Sequence, residues 1–175
     1  MKNQKMIHQP KNIDQEKYLS RYLKGFKCVD LSDELERVTQ LTLDVIKDVS
    51  EEKGNYRYAD GKWSIKQVIR HLTDTERIFN YRALSFSRNP ESDLAGFDQD
   101  VFANEDYCDS LSLKQVMDEY VCVRQSTIQM FKTMNPEKLD QEGKASGSFY
   151  SARILGWFNA GHNIHHLNVL KERYV

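Results

Sequence analysis

Apolar positions recur at steps of three and four along most of this chain, the period of a helix with one face turned to a core. Leu31, Leu35, Val38, Leu41, Val45 and Val49 predict a first long helix over 32–50, ended by Glu51-Glu52-Lys53-Gly54-Asn55. Asp33 and Glu34 fall in its first turn, where the helix dipole favours anions. A shorter helix is read over 15–24, closed by Gly25. The second long helix starts at Ser64, since Ser64-Ile65-Lys66-Gln67 forms a capping box. Its face is traced by Ile65, Val68, Leu72, Phe79, Ala83 and Phe86, and Asn89-Pro90 stops it. A loop over 89–110 follows, long enough to expect a functional role, with Phe97, Val101, Phe102 and Tyr107 to pack it down.

Ser112-Leu113-Lys114-Gln115 is a second capping box and opens a third long helix running to Met134. Leu113, Val116, Tyr120, Thr127, Phe131 and Met134 line it. Asn135-Pro136 reads as an N-cap and first position of a short turn, and 143–148 as a polar loop. The last helix, over 151–173, is apolar on most of its circumference, which predicts a buried, central element. No segment alternates with the period of two that marks a strand. The expectation is an all-α four-helix bundle over 17–175, preceded by a flexible segment over 1–16.

Charge narrows the partners. Lys plus Arg is 25 and Asp plus Glu 26, a net charge of -1, unlike a general nucleic-acid binder or a polybasic membrane-surface protein. The longest apolar stretch, 154–158, is far below the roughly 18 residues that span a bilayer, and the N-terminus lacks the apolar core of a secretory signal. The 3 cysteines, Cys28, Cys108 and Cys122, form no CxxC pair and no disulfide framework. Cys122 reads as structural, inside a helix, and Cys108 as a loop residue open to exposure. A cytoplasmic protein acting on a small molecule, with no nucleic acid and no membrane, fits these features.

The histidines carry the candidate chemistry. His162 and His166 are four apart in Gly161-His162-Asn163-Ile164-His165-His166, so one helix face presents both imidazoles. That spacing allows two rings to share a metal ion, with a third ligand from another element. His71, beside the Val68/Leu72 stripe of the second helix, is the natural candidate. Three neutral imidazoles leave coordination positions open, as a catalytic site requires. His165, at i+3 from His162, competes with His166, and spacing does not choose between them. The plain alternative is that these are hydrogen-bonded core histidines, while His8 sits in a polar segment and reads as solvated.

Arg124 interrupts a stripe made of Tyr120, Thr127, Ile128 and Phe131. A guanidinium facing a core needs a carboxylate partner or an anionic ligand. As a catalytic candidate it would grip a substrate carboxylate near the metal. Otherwise it pairs with an acidic side chain, or its stem snorkels at the helix edge. Glu76, five after His71, falls off the histidine's face. Asp98 and Asp100 read either as partners of a ligand histidine or, more simply, as caps. Trp63 and Trp157 read as core.

Three segments in order resemble the DinB-like superfamily: Trp63-Ser64 through His71-Leu72, Phe97-Asp98-Gln99-Asp100 with Ser112-Leu113 and Arg124, and Gly161-His162 through His165-His166. The likeness spans about residues 30–173. It implies an antiparallel four-helix bundle of the DinB/bacillithiol-transferase kind, with a divalent metal, Zn²⁺ or Ni²⁺, on His71, His162 and His166, favouring His166 over His165. The resemblance also implies a homodimer and a thiol-dependent activity, since the family's characterised members include bacillithiol S-transferases and mycothiol-dependent maleylpyruvate isomerase. The expected function is metal-dependent transfer of a low-molecular-weight thiol to an electrophile. The alternatives are hydrolysis by an activated water, or a non-enzymatic stress-inducible metal protein.

Overall fold

The computed structural model describes residues 6–11 and 21–175. Four long helices form the bundle: α1 (Leu31–Ile46), α3 (Ile65–Arg88), α5 (Leu113–Thr133) and α6 (Ala152–Arg173). Helices α1 and α3 each pack against both α5 and α6. The stripe read on α3 is the buried one: Ile65, Val68, Leu72, Phe79, Ala83 and Phe86 are each at most 4% exposed. Helix α6 is buried on most of its circumference, as an all-round apolar helix must be.

Local signals set the helix ends. Ser64 and Ser112 each accept from the backbone N–H three residues on, and Gln67 and Gln115 complete the two capping boxes. Asn135 caps a short 3-10 turn over Pro136–Lys138. The first helix ends earlier than the periodicity implies. It stops at Ile46, because Ser50 caps a separate helical turn, α2 (Glu51–Gly54). The expected helix over 15–24 lies largely outside the described residues. Upstream, residue 7 is anchored: Ile7 is buried and its N–H donates to Asp30, the N-cap of α1, at 2.7 Å.

Two regions depart from the expected loops. The segment after α3 holds a two-residue strand, β1 (Asp93–Leu94), a helix, α4 (Gln99–Glu105), and a 3-10 turn over Cys108–Ser110. Asp98 caps α4, so its role is structural. The 143–148 segment is a hairpin, β2 (Glu142–Ala145) and β3 (Ser148–Ser151), with β1 pairing in parallel to β2. Ser146 and Gly147 have φ of 51° and 79°, the paired positive values of a type I′ turn. The inward residues of β2 are Gly143 and Ala145, and on β3 Phe149 points out while Tyr150 points in. The strand period is therefore present in burial but carried by small residues that hydropathy does not register. Gly143 is required: a Cβ there would lie 2.1 Å from the Phe86 ring. Cysteine burial also reverses expectation: Cys108 is fully buried, its thiol pushed up to about 12 mainly by burial, whereas Cys122 is exposed.

Candidate metal centre and cavity

Helices α3 and α6 bring His71, His162 and His166 together. The Nε2 of His162 lies 3.1 Å from that of His71 and 3.0 Å from that of His166. One ligand atom from each residue falls within 4.8 Å of the others. His165 is on the outer face and exposed, its ring against Tyr22 and His166. The i,i+4 row of α6 continues to Phe158, whose ring stacks on His162 at 5.1 Å. Trp63 packs against His71 at 4.8 Å, so this tryptophan is neither deep core nor remote from the histidines. Gly161 opens the other side: a Cβ there would sit 1.8 Å from the Tyr22 carbonyl oxygen, so glycine lets the chain at Tyr22 lie on α6 beside His162.

The three imidazoles suit a cation. Burial pushes His71 down to about 4 and His162 and His166 well below the ordinary histidine range, with neighbouring imidazoles adding to the effect. They are thus neutral near pH 7, the form that coordinates metal. A single ring nitrogen carries one hydrogen or one in-plane lone pair, so His162 Nε2 cannot complete good hydrogen bonds to both neighbours. Nitrogens sharing a tetrahedral ion at about 2.0–2.1 Å stand about 3.3 Å apart, close to these separations. The residues present therefore fit a divalent metal by spacing, protonation and donor type.

Two of the three histidines, His71 and His162, border a cavity of about 360 Å³. Helix α3 supplies His71, Thr75, Phe79 and Arg82, positions that share one face over three turns. The hairpin supplies Ser146, Ser148 and Tyr150, and the segment leading into α4 supplies Phe97 and Gln99. Tyr22, Phe158 and His162 complete the wall.

Arg124 is not brought to this cavity. It is 1% exposed and meets Glu76 in a two-pronged pair, Nε to Oε1 at 2.9 Å and Nη2 to Oε2 at 2.8 Å. Nη2 also donates to Asn163, and Nη1 donates to the Leu35 carbonyl and Thr39. All five guanidinium N–H groups are thereby engaged, which leaves none for a substrate. The carboxylate-partner reading of Arg124 is the one that the structure realises. Its partner is Glu76, which lies off the His71 face as its spacing requires. Sequence reasoning passed over Arg82, although the signal was of the same kind: a guanidinium between Phe79 and Phe86 on an otherwise apolar stripe.

The fold and the histidine cluster define a helical-bundle protein with a candidate metal centre. The chain belongs to the DinB superfamily, whose family model matches residues 34–170. No curated protein matches the sequence. Among solved structures it is similar to YfiT from Bacillus subtilis, described as a probable metal-dependent hydrolase with an unusual four-helix bundle topology. That likeness has a TM-score of 0.72 at 12% identity, over 94% of this chain and 90% of the other, and establishes the shared fold. Among the described residues no helix is long and apolar enough to cross a membrane.

Proposed function

We propose that this protein is a metal-dependent enzyme that joins a low-molecular-weight thiol to an electrophilic small molecule, with His71, His162 and His166 holding one divalent ion. The observation that carries the reading is the convergence of three neutral imidazole nitrogens, two of them from His71 and His162 on the wall of a cavity large enough for a small organic substrate. A bound ion of this kind supplies Lewis acidity, which lowers the pKa of a coordinated thiol or water. The chain's own groups do the rest. Trp63 and Phe158 fix two of the imidazole planes, and Phe79, Phe97 and Tyr150 exclude bulk water from the cavity.

In the overall reaction a sulfur–carbon bond forms as the bond from carbon to its leaving group breaks. The leaving group departs with the electron pair, and the thiol proton passes to solvent. Apart from His71 and His162, which would hold the ion, the polar groups on the wall are a guanidinium, an amide and hydroxyls, which bind and orient rather than act as bases at neutral pH. This favours a nucleophile that needs only a lowered pKa. Hydrolysis is the second reading, supported by the description of YfiT.

The test begins with metal content after expression without a histidine tag. About one ion per chain is expected in the parent and none in His71→Ala or His166→Ala, with far-UV circular dichroism unchanged. Stoichiometric metal in both variants would overturn the site. A fluorogenic alkyl chloride offered with and without low-molecular-weight thiols, beside an ester offered alone, then separates the reactions. Metal-dependent, thiol-dependent conjugation supports transfer, and thiol-independent ester cleavage supports hydrolysis.

A further inference from the structure

At the end of the cavity away from the histidines lies a buried cation whose charge meets only neutral groups. Arg82 is 4% exposed, and its Nη2 donates to the Ala95 carbonyl at 2.9 Å and to Ser146 Oγ at 3.0 Å. Its guanidinium also lies over the Phe79 ring at 5.1 Å. Among the described residues no carboxylate pairs with it, and burial lowers its pKa with only the Tyr150 phenol opposing. No buried side-chain nitrogen in the described structure is left without a partner, so its remaining N–H groups, on Nε and Nη1, face accessible space. A guanidinium removed from water without a counter-charge is costly and is expected to await an anion.

A row of aromatic rings runs from this cation to the histidines. Phe79 stacks on Phe158 at 4.3 Å, and Phe158 stacks on His162. His71 and Arg82 are eleven residues apart, about 16 Å along the α3 axis, with side chains leaning back toward the helix N-terminus. A ligand filling the cavity thus meets a cation at one end, aromatic faces along its middle and, at the other end, His71 and His162 of the three-histidine cluster.

We infer that the cavity is built for an organic oxyanion with an apolar body, its anionic group held by Arg82 and its reactive end presented to the three-histidine centre. The placement of the reactive end rests on the metal-site reading above, but anchoring at Arg82 does not. Arg82 is a specificity-determining binding residue. Nη2 is committed to holding the hairpin, and Nε and Nη1, whose N–H groups point to different sides of the guanidinium, remain as single charge-assisted donors to an anionic group. A carboxylate and a phosphate monoester share that chemistry.

The test uses metal-free protein, so that no probe oxygen is captured by an ion. Affinities of 4-phenylbutanoate, phenyl phosphate and the neutral 4-phenylbutanamide are measured by calorimetry. At least tenfold tighter binding of one or both anions over the amide is expected, with the margin lost in Arg82→Gln and partly kept in Arg82→Lys. The two anion probes decide between carboxylate and phosphate. Equal affinity for anions and amide, or an unchanged margin in Arg82→Gln, would overturn the proposal. If Arg82→Gln does not fold, the Arg82 Nε–H resonance of the parent decides. A shift on anion titration and none with amide supports the anchor, and no shift with either overturns it. Anion binding without metal uptake would leave this inference standing while the metal reading falls.

Discussion

Two arginines in this bundle are almost wholly buried, and their surroundings differ in kind. Arg124 stands in a closed polar network that ties all four long helices: Glu76 from α3, Leu35, Thr39 and Thr42 from α1, Tyr120 from its own helix and Asn163 from α6. Each donor there has an acceptor and the charge has its carboxylate. Arg82 has neutral acceptors and a cavity. The three histidines belong with Arg82, because His162 Nε2 stands within hydrogen-bond distance of two other imidazole nitrogens and cannot complete good bonds to both. Fully engaged buried polarity holds a fold together, whereas polar groups with unused bonding capacity bordering a cavity mark where a ligand completes it. Helix α3 carries both regions, with Glu76 on one face and His71, Thr75, Phe79 and Arg82 on another.

The contrast is broken most directly at Glu76. Glu76→Gln strands the Arg124 charge inside the network and should destabilise the fold by about 3–5 kcal/mol in urea denaturation. Arg82→Gln removes a charge that has no partner and should cost less than about 1.5 kcal/mol. Equal losses would erase the distinction between the two arginines. If Glu76→Gln remains folded, its metal content should match the parent.

Acid sharpens the same contrast. His71 titrates at about 4 when folded, chiefly because it is buried, against an ordinary 6.5, so the unfolded chain takes up the proton first. Stability of metal-free protein should therefore be full above pH 7 and fall as pH drops through 6.5 toward 4. His71 alone accounts for about 3 kcal/mol of that fall. Thermal midpoints across this window test it, and a flat profile would contradict neutral, buried imidazoles. Saturating Zn²⁺ should steepen the loss, since protons then compete with the ion.

A smaller effect than those at Glu76 and His71 is expected at the close approach beside the centre. Gly161→Ala must push the Tyr22 backbone away from α6, given the 1.8 Å to its carbonyl oxygen. A loss of about 1–3 kcal/mol is expected from overpacking, read as a lowered thermal midpoint. An unchanged midpoint would mean that the segment at Tyr22 contributes little to the cavity wall.

What the sequence by itself determined is the part governed by interactions within a few residues. Ser64 and Ser112 start their helices by reaching three residues ahead, Pro90 blocks the continuation of α3, and the four-residue interval between His162 and His166 stacks two imidazoles on any helix. The helical bundle and the paired histidines were legible for that reason. The tertiary structure alone decided which buried arginine has a counter-ion, because Glu76 and Arg124 meet across two helices 48 residues apart in sequence. It also turned His166 toward His71 on α3 and His165 outward, which spacing alone left open. It raised the 142–151 hairpin, hidden because its inward positions are Gly143 and Ala145, and so placed Ser146, Ser148 and Tyr150 around the cavity. Helix caps and spacings are local and periodic, but a cavity is the space left between elements, and its charge balance depends on partners that no short window of sequence contains.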